Sequence, residues 1–278
     1  MSFSPEWLAL REPLDHRSVN PALAAKVAAA FEGPDHLSIM DLGCGAGSNL
    51  RGSFHLFGES QHWTLVDYDP GLLAAARARL SLWADEAEEA GEELMLLKAG
   101  RRLMVDFRRI DLVEDLERAL DWRPDLVTAA ALFDLVSPEW IDRFTAALAA
   151  RKLLLYTVLT YDGREIWEPP HGVDEAMVAA FHAHQRLDKG FGPSAGPDGA
   201  RLMAEAFARV GHVVETADSP WRMVPGDHEL VTALTDGIAR AVRETGHVQE
   251  ADIASWLAAK RQAGRGLVGH LDLFARPR

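Results

Sequence analysis

The sequence contains one cysteine, Cys44, in 278 residues. No disulfide within the chain and no cysteine-based zinc site can be built from it, and this usage suits a reducing cytosol, so a cytoplasmic protein is expected. Runs of about 18 apolar residues are absent, so no membrane-spanning helix and no membrane partner are expected. The stretch "MSFSPEWLALREPLDHR" carries charges every few residues and has no apolar core of the signal-peptide kind. Basic clusters are lacking as well. The net charge is −13, and only short pairs such as Arg101–Arg102 and Arg108–Arg109 stand out. That balance speaks against DNA and, less strongly, against RNA as a partner. There is no internal repeat and no low-complexity linker.

What is present is core-forming. The chain is 48% apolar and 26% charged, enough for a large core and against global disorder. Its length suits one α/β domain, 1–278, carrying insertions. "NPALAAKVAAAFEG" reads as a helix with Asn20 as its N-cap, Pro21 in its first turn and Gly33-Pro34 as its stop. "LSIMDL", "WTLVDYDP", "LMLLK", "LMVDFRRIDL", "DLVTAAALFDLV" and "KLLLYTVLTYDG" read as strands. "PGLLAAARARLSLWADEAEEAG" reads as one long helix with Leu72, Leu73, Ala76, Leu80, Trp83 and Ala87 on its apolar stripe. "EDLERAL" and "PEWIDRFTAALAA" read as further helices.

This alternation predicts a mostly parallel sheet with helices on both faces. Later segments depart from it. Helices are expected near 173–187, 199–209, 227–244 and 250–262, with a strand at "HVVETAD" and a last strand at "LVGHLDLFARP".

Between the first strand and the helix after it lies "DLGCGAGSN". Glycines there let a ligand approach the backbone, because no Cβ intervenes. A plain tight turn is the competing reading. A dinucleotide fingerprint needs G-x-G-x-x-G/A. From Gly43 its third small position falls on Ser48, whereas the third glycine is Gly47.

With Asp41 two residues before Gly43, the pattern resembles motif I of the class I (Rossmann-like) S-adenosylmethionine-dependent methyltransferases. "LVDYDP" resembles that family's second strand, which assigns the ribose-binding acid to Asp67, 20 residues after Gly47. "RRIDL" matches the site after the third strand and puts Asp111 at the adenine amino group. "PDLVTAAALFDLV" resembles motif IV.

The resemblance covers roughly 37–160 with parts of 200–220 and 266–276. It implies a seven-stranded, mostly parallel sheet ending in an antiparallel C-terminal edge strand. It also implies S-adenosylmethionine as cofactor and S-adenosylhomocysteine as product. The cofactor-binding set it implies is Asp41, Gly43, Gly45, Gly47, Asn49, Asp67, Tyr68, Asp111, Leu112 and Ala130. A solvated strand end for Asp67 and a helix cap for Asp111 are the plainer alternatives.

The acceptor is less legible. The family's N/D-P-P-Y/F motif for amino groups on planar systems is replaced by "AALFDL", which disfavours adenine N6 and glutamine amides. Methyl transfer from a sulfonium is an in-line displacement governed by proximity, so a missing base motif says little. Asp134, Tyr161 and His184 are the candidate catalytic residues, from strand ends and from the insertion at 161–200. On a helix, Val173, Met177, Phe181 and His184 share a face, so His184 is expected to point inward, at a substrate or into the core. His182 and His184 diverge by about 200° and form no metal pair; no metal is expected.

Asp188 and Lys189 line a pocket mouth or pair in solvent. Arg11 or Arg17 reaches the cofactor carboxylate or makes a surface ion pair. An N-terminal helical arm (1–35) and cap insertions (161–200 and 222–265) are expected, the insertions covering the acceptor. That favours a small-molecule acceptor over a protein or RNA. A non-catalytic cofactor-binding relative and a homodimer stay open.

Overall fold

The computed structural model describes residues 3–263 and 265–278. Two helices come first, α1 (Pro5–Ser18) and α2 (Pro21–Ala30). Each has proline in its first turn behind a capping side chain. Ser4 accepts from Trp7 N–H, and Asn20 accepts from the N–H groups of Ala22 and Leu23.

The alternating part follows: β1 (Leu37–Leu42), α3 (Ser48–Ser53), β2 (Ser60–Asp67) and α4 (Pro70–Trp83). After them come β3 (Glu86–Ala90), β4 (Glu93–Lys98), β5 (Arg101–Arg109) and α5 (Leu116–Leu120). Then come β6 (Leu126–Ala130), α6 (Pro138–Arg151) and β7 (Leu154–Glu168). The remainder is α7 (Asp174–Gln185), α8 (Gly199–Arg209), β8 (Val213–Asp218), β9 (Trp221–Met223), α9 (His228–Thr245), α10 (Glu250–Ala263) and β10 (Arg265–Arg276).

One sheet joins the strands in the order β3-β4-β5-β2-β1-β6-β7-β10-β8, with β9 also on β10. From β5 to β8 this is the seven-stranded, mostly parallel sheet that the sequence implies, and β10 is its antiparallel member. The central strands are buried on both faces, which is why they read as continuous apolar runs. Two cores result. One lies under α1, α2, α4, α7, α9 and α10, the other under α5, α6 and α8.

Three expectations are corrected. The helix expected through Gly91 stops at Trp83, and 86–90 pairs with β4 as a hairpin across Gly91 and Glu92. Residues Glu86–Ala90 are all exposed, so a continued helix would have had no apolar face to bury there. The C-terminal strand is not an edge: β10 lies between β7 and β8. Finally, β7 does not end at Tyr161. It pairs with β10 as far as Glu168, through two register shifts, so the chain leaves the sheet at Pro169.

Candidate functional site

The chain runs outward from β1 toward β2 and β5 on one side, and from β6 toward β7 on the other. Open α/β sheets bind ligands at such a reversal, beyond the carboxyl ends of the strands. A cavity of about 470 Å³ opens there, within the range of small-molecule sites.

The glycine loop forms one wall. Gly43 and Gly45 sit at φ +62° and +52°, in the left-handed region where a Cβ is penalised. A Cβ on Gly45 would also lie 3.0 Å from Leu8 Cδ1. The Gly45 N–H donates to Asp67 Oδ2 at 3.0 Å, and the Asp69 N–H donates to Asp67 Oδ1 at 3.0 Å. The loop is thus tied to the end of the neighbouring strand through one carboxylate. Burial raises the Asp67 carboxyl above its usual range, and the Asp69 and Gly45 N–H groups pull it back. Asp111 lies on the same cavity, with Oδ1 accepting from Val113 N–H at 2.9 Å. Leu72, Ile110 and Leu112 give this region an apolar slot, and half-exposed Tyr68 stands at its mouth.

Asp41 supports the loop from behind. It is fully buried; Oδ1 accepts from Asn49 Nδ2 at 2.7 Å, and Oδ2 has no partner. Burial pushes its pKa to about 7, against the Asn49 hydrogen bond and with the help of Asp67. Of the residues expected at a cofactor, Gly43, Gly45, Asn49, Asp67, Tyr68, Asp111, Leu112 and Ala130 line the cavity. Asp41 and Gly47 do not. Gly47 instead faces Arg51, Ala76 and Leu80, where it lets α3 pack on α4.

The acceptor side differs from expectation. Asp134, Tyr161 and His184 all lie outside the cavity lining. Asp134 is buried, with Oδ1 unpartnered, and burial is the main cause of a pKa pushed to about 6. Tyr161 sits within the extended β7; its hydroxyl donates to Glu165 at 3.0 Å and pairs with His182 Nε2 at 2.9 Å. His184 meets Glu244 of α9 at 3.0 Å and Lys189 at 3.4 Å. Met177 and Ala180 are buried on the inward face of α7, Val173 and Phe181 pack beside them, and α9 covers His184 through Glu244.

The cover also differs. Among the described residues, the 222–265 segment contributes nothing to the lining, and 161–200 contributes only Lys189, Gly190 and Phe191. The cavity is roofed chiefly by the N-terminal arm, through Leu8, Arg11, Asp15 and His16 of α1 and the start of α2. Several bonds fasten α1. Glu12 takes both arms of Arg51 (2.6 and 2.7 Å), and His16 Nε2 meets Ser48 O at 3.0 Å. Asp15 joins Arg11 (2.7 Å) to Trp221 (2.9 Å), and Arg17 pairs with Asp227, away from the cavity. Sequence reasoning missed Leu132, Leu135 and Tyr156, which also line it; of the aromatics expected near an acceptor, Phe191 lines the cavity and Phe181, Trp167 and Trp221 do not. Ala131 and Leu159 in the wall have φ +51° and +59° without being glycine; no sequence signal marks such positions, which collect at functional sites.

No family model matches the sequence, and no curated protein matches it. Solved structures do. The chain superposes on the crystal structure of a cyclopropane-fatty-acyl-phospholipid synthase-like protein from Lactobacillus casei, at 15% identity and TM-score 0.53, over 96% of this chain and 98% of that one. The fold is that of the class I S-adenosylmethionine-dependent methyltransferases. A SAM-dependent methyltransferase from Thiobacillus denitrificans in complex with S-adenosyl-L-homocysteine is more distant, at 16% identity and TM-score 0.47 over 99% and 100% of the two chains. In the class I fold, the reversal between β1 and β6 is where the cavity described above opens.

Proposed function

We propose that this chain transfers a methyl group from S-adenosylmethionine to a small-molecule acceptor. One observation carries the reading: the Asp67 carboxylate bridges the glycine loop and its own strand end on the cavity wall, with Asp111 on the same cavity. An ionised carboxylate has about four acceptor positions. Gly45 and Asp69 take two, which leaves two for the paired hydroxyls of a ribose. Asp111 keeps one oxygen for an amino group, and Leu72, Ile110 and Leu112 suit the flat apolar faces of adenine. Gly43 and Gly45 line the cavity with no Cβ between backbone and ligand, so the rest of the molecule can lie close to the loop.

Bound there, S-adenosylmethionine supplies a sulfonium methyl, and the electron pair of the broken C–S bond stays on sulfur. The protein's part is alignment and exclusion of water. Helix α1 closes over the loop through Leu8 and His16. Arg11, held by Asp15, presents a cation to the cavity, where a ligand carboxylate is accommodated. A roofed cavity of this size favours a small acceptor over a folded macromolecule.

Calorimetry with S-adenosylmethionine, S-adenosylhomocysteine and NAD tests the reading. Micromolar binding of S-adenosylhomocysteine with little or no NAD binding is expected; tighter NAD binding would reject it.

A further inference from the structure

Helix α1 lays two rows of side chains over the cavity. Leu8 and His16 reach the glycine loop and α3. Arg11 and Asp15, one turn apart, reach β9 instead. Arg11 Nε donates to Asp15 Oδ2 at 2.7 Å, and Asp15 Oδ1 accepts from Trp221 Nε1 at 2.9 Å. The guanidinium carbon also stands 5.4 Å from the centre of the Trp221 ring, a cation–π contact. Trp221 lies on β9, which pairs with β10. Arg11 is thus anchored on the β6–β7–β10 side of the sheet. Asp67 and Asp111, which the cofactor reading gives to ribose and adenine, belong to the ends of β2 and β5, on the opposite side of β1.

These anchors leave the outer edge of the guanidinium unused. Among the described residues, Arg11 Nη1 and Nη2 make no hydrogen bond and no ion pair. The side chain is only 13% exposed, yet it lines the cavity. A guanidinium stays charged and carries five N–H donors, so most of them lack an acceptor in a place largely withdrawn from water, which is costly until an anion arrives. The neighbouring groups do not fill that role. Asp15 has one oxygen on Arg11 Nε and the other on Trp221. Asp134 is close enough to feel the charge of Arg11, but it lies outside the lining and makes no ion pair with it. His270, beside Trp221 on β10, is neutral, its pKa pushed down to about 3 by burial first and Arg11 second. Lys189 is the other cation on the cavity, and Leu132, Leu135, Leu159 and Phe191 give the same side apolar walls.

We propose that Arg11 is the specificity-determining clamp for the methyl acceptor, its two terminal nitrogens gripping a carboxylate of that molecule. A planar fork matches a carboxylate with two parallel hydrogen bonds. The acceptor is then an organic acid whose apolar body lies against Leu132, Leu135, Leu159 and Phe191. This rests on the cofactor reading, which places S-adenosylmethionine on the Asp67 side. The cofactor's own carboxylate offers the same chemistry, and the experiment separates the two sources.

The test is calorimetry on the full chain with 3-phenylpropanoate and its neutral amide, each with and without saturating S-adenosylhomocysteine. The acid should bind about 10- to 100-fold more tightly than the amide, the scale of hydrogen bonds to a charged group, and should still bind when S-adenosylhomocysteine is present. Arg11→Gln, which keeps donors and removes the charge, should abolish that preference and leave the amide's affinity unchanged. Arg11→Lys, which keeps the charge and loses the fork, should retain part of it. Equal affinities in the wild type, no binding of the acid at millimolar concentration, or a preference that survives Arg11→Gln each overturn the proposal. The two carboxylates are separated with methylthioadenosine, which lacks the amino-acid part of the cofactor. If Arg11→Gln weakens S-adenosylhomocysteine and spares methylthioadenosine, Arg11 holds the cofactor's carboxylate and the acceptor assignment falls. Failure of S-adenosylhomocysteine to bind the wild type, with the Arg11-dependent preference for the acid intact, overturns the cofactor reading and not the clamp.

Discussion

Asp272 accepts the backbone N–H of Leu159 at 2.9 Å with one carboxylate oxygen, while the other accepts that of Asn20 at 2.7 Å. A fully buried acid on β10 thereby fixes two remote pieces of the cavity: the positive-φ residue in its wall and the junction between α1 and α2. Asp272→Ala leaves both donors without that acceptor and should cost about 2–5 kcal/mol. Asp272→Asn keeps one acceptor oxygen and should cost less. Urea denaturation of the two variants checks the order.

Asp67 has a double role. Asp67→Ala should weaken S-adenosylhomocysteine binding by roughly 1.5–3 kcal/mol, the scale of hydrogen bonds to a charged group. It should also release Gly45 N–H, so amide exchange at 43–47 should speed up even without ligand. Unchanged affinity in a folded variant would reduce Asp67 to a strand end.

Gly45 is constrained twice, by its φ and by Leu8. Gly45→Ala should destabilise by about 1–2 kcal/mol, the cost of a Cβ in the left-handed region. Adding Leu8→Ala should not restore stability, since the backbone penalty remains. Recovery in the double variant, measured by thermal unfolding, would show that the Leu8 contact dominates.

Asp41 and Asp134 hold their protons more tightly folded than unfolded, with folded values of about 7 and about 6 set mainly by burial. Glu165, also at about 7 through burial, behaves alike. The stability they contribute is complete below the unfolded carboxyl range. It is lost as pH rises through 6–7. Asp41→Asn cannot ionise, so its stability relative to wild type should improve by roughly 2–3 kcal/mol between pH 5 and pH 8. Denaturation curves at the two pH values decide it.

The sequence exposed the parts of the fold that local chemistry dictates. Asn20-Pro21, Asp69-Pro70 and Ser137-Pro138 each start a helix as capping rules require, and the glycine loop and Asp67 come together on the cavity. The rest depended on partners far along the chain. "EAEEA" is built from good helix formers, yet it pairs with β4 because its five residues have nothing to pack against. Strand β7 outruns Tyr161 because β10, about a hundred residues later, is there to pair with it. Periodicity found the inner face of α7 and placed His184 on it, but it contains no information that Glu244 would be the neighbour. Nor does any local pattern say that α1 would roof the cavity, which depends on Arg51, Ser48 and Trp221.

Strand β3 has a bearing on how copies of this chain can meet. A sheet's outermost strand offers unpaired backbone groups to any other strand. Here that border carries exposed Glu86, Glu88 and Glu89. A second copy docking on it in antiparallel fashion would set carboxylates about 5 Å from carboxylates. The three glutamates of this five-residue strand therefore guard this end of a ten-stranded sheet, and two copies that associate are driven to some other surface.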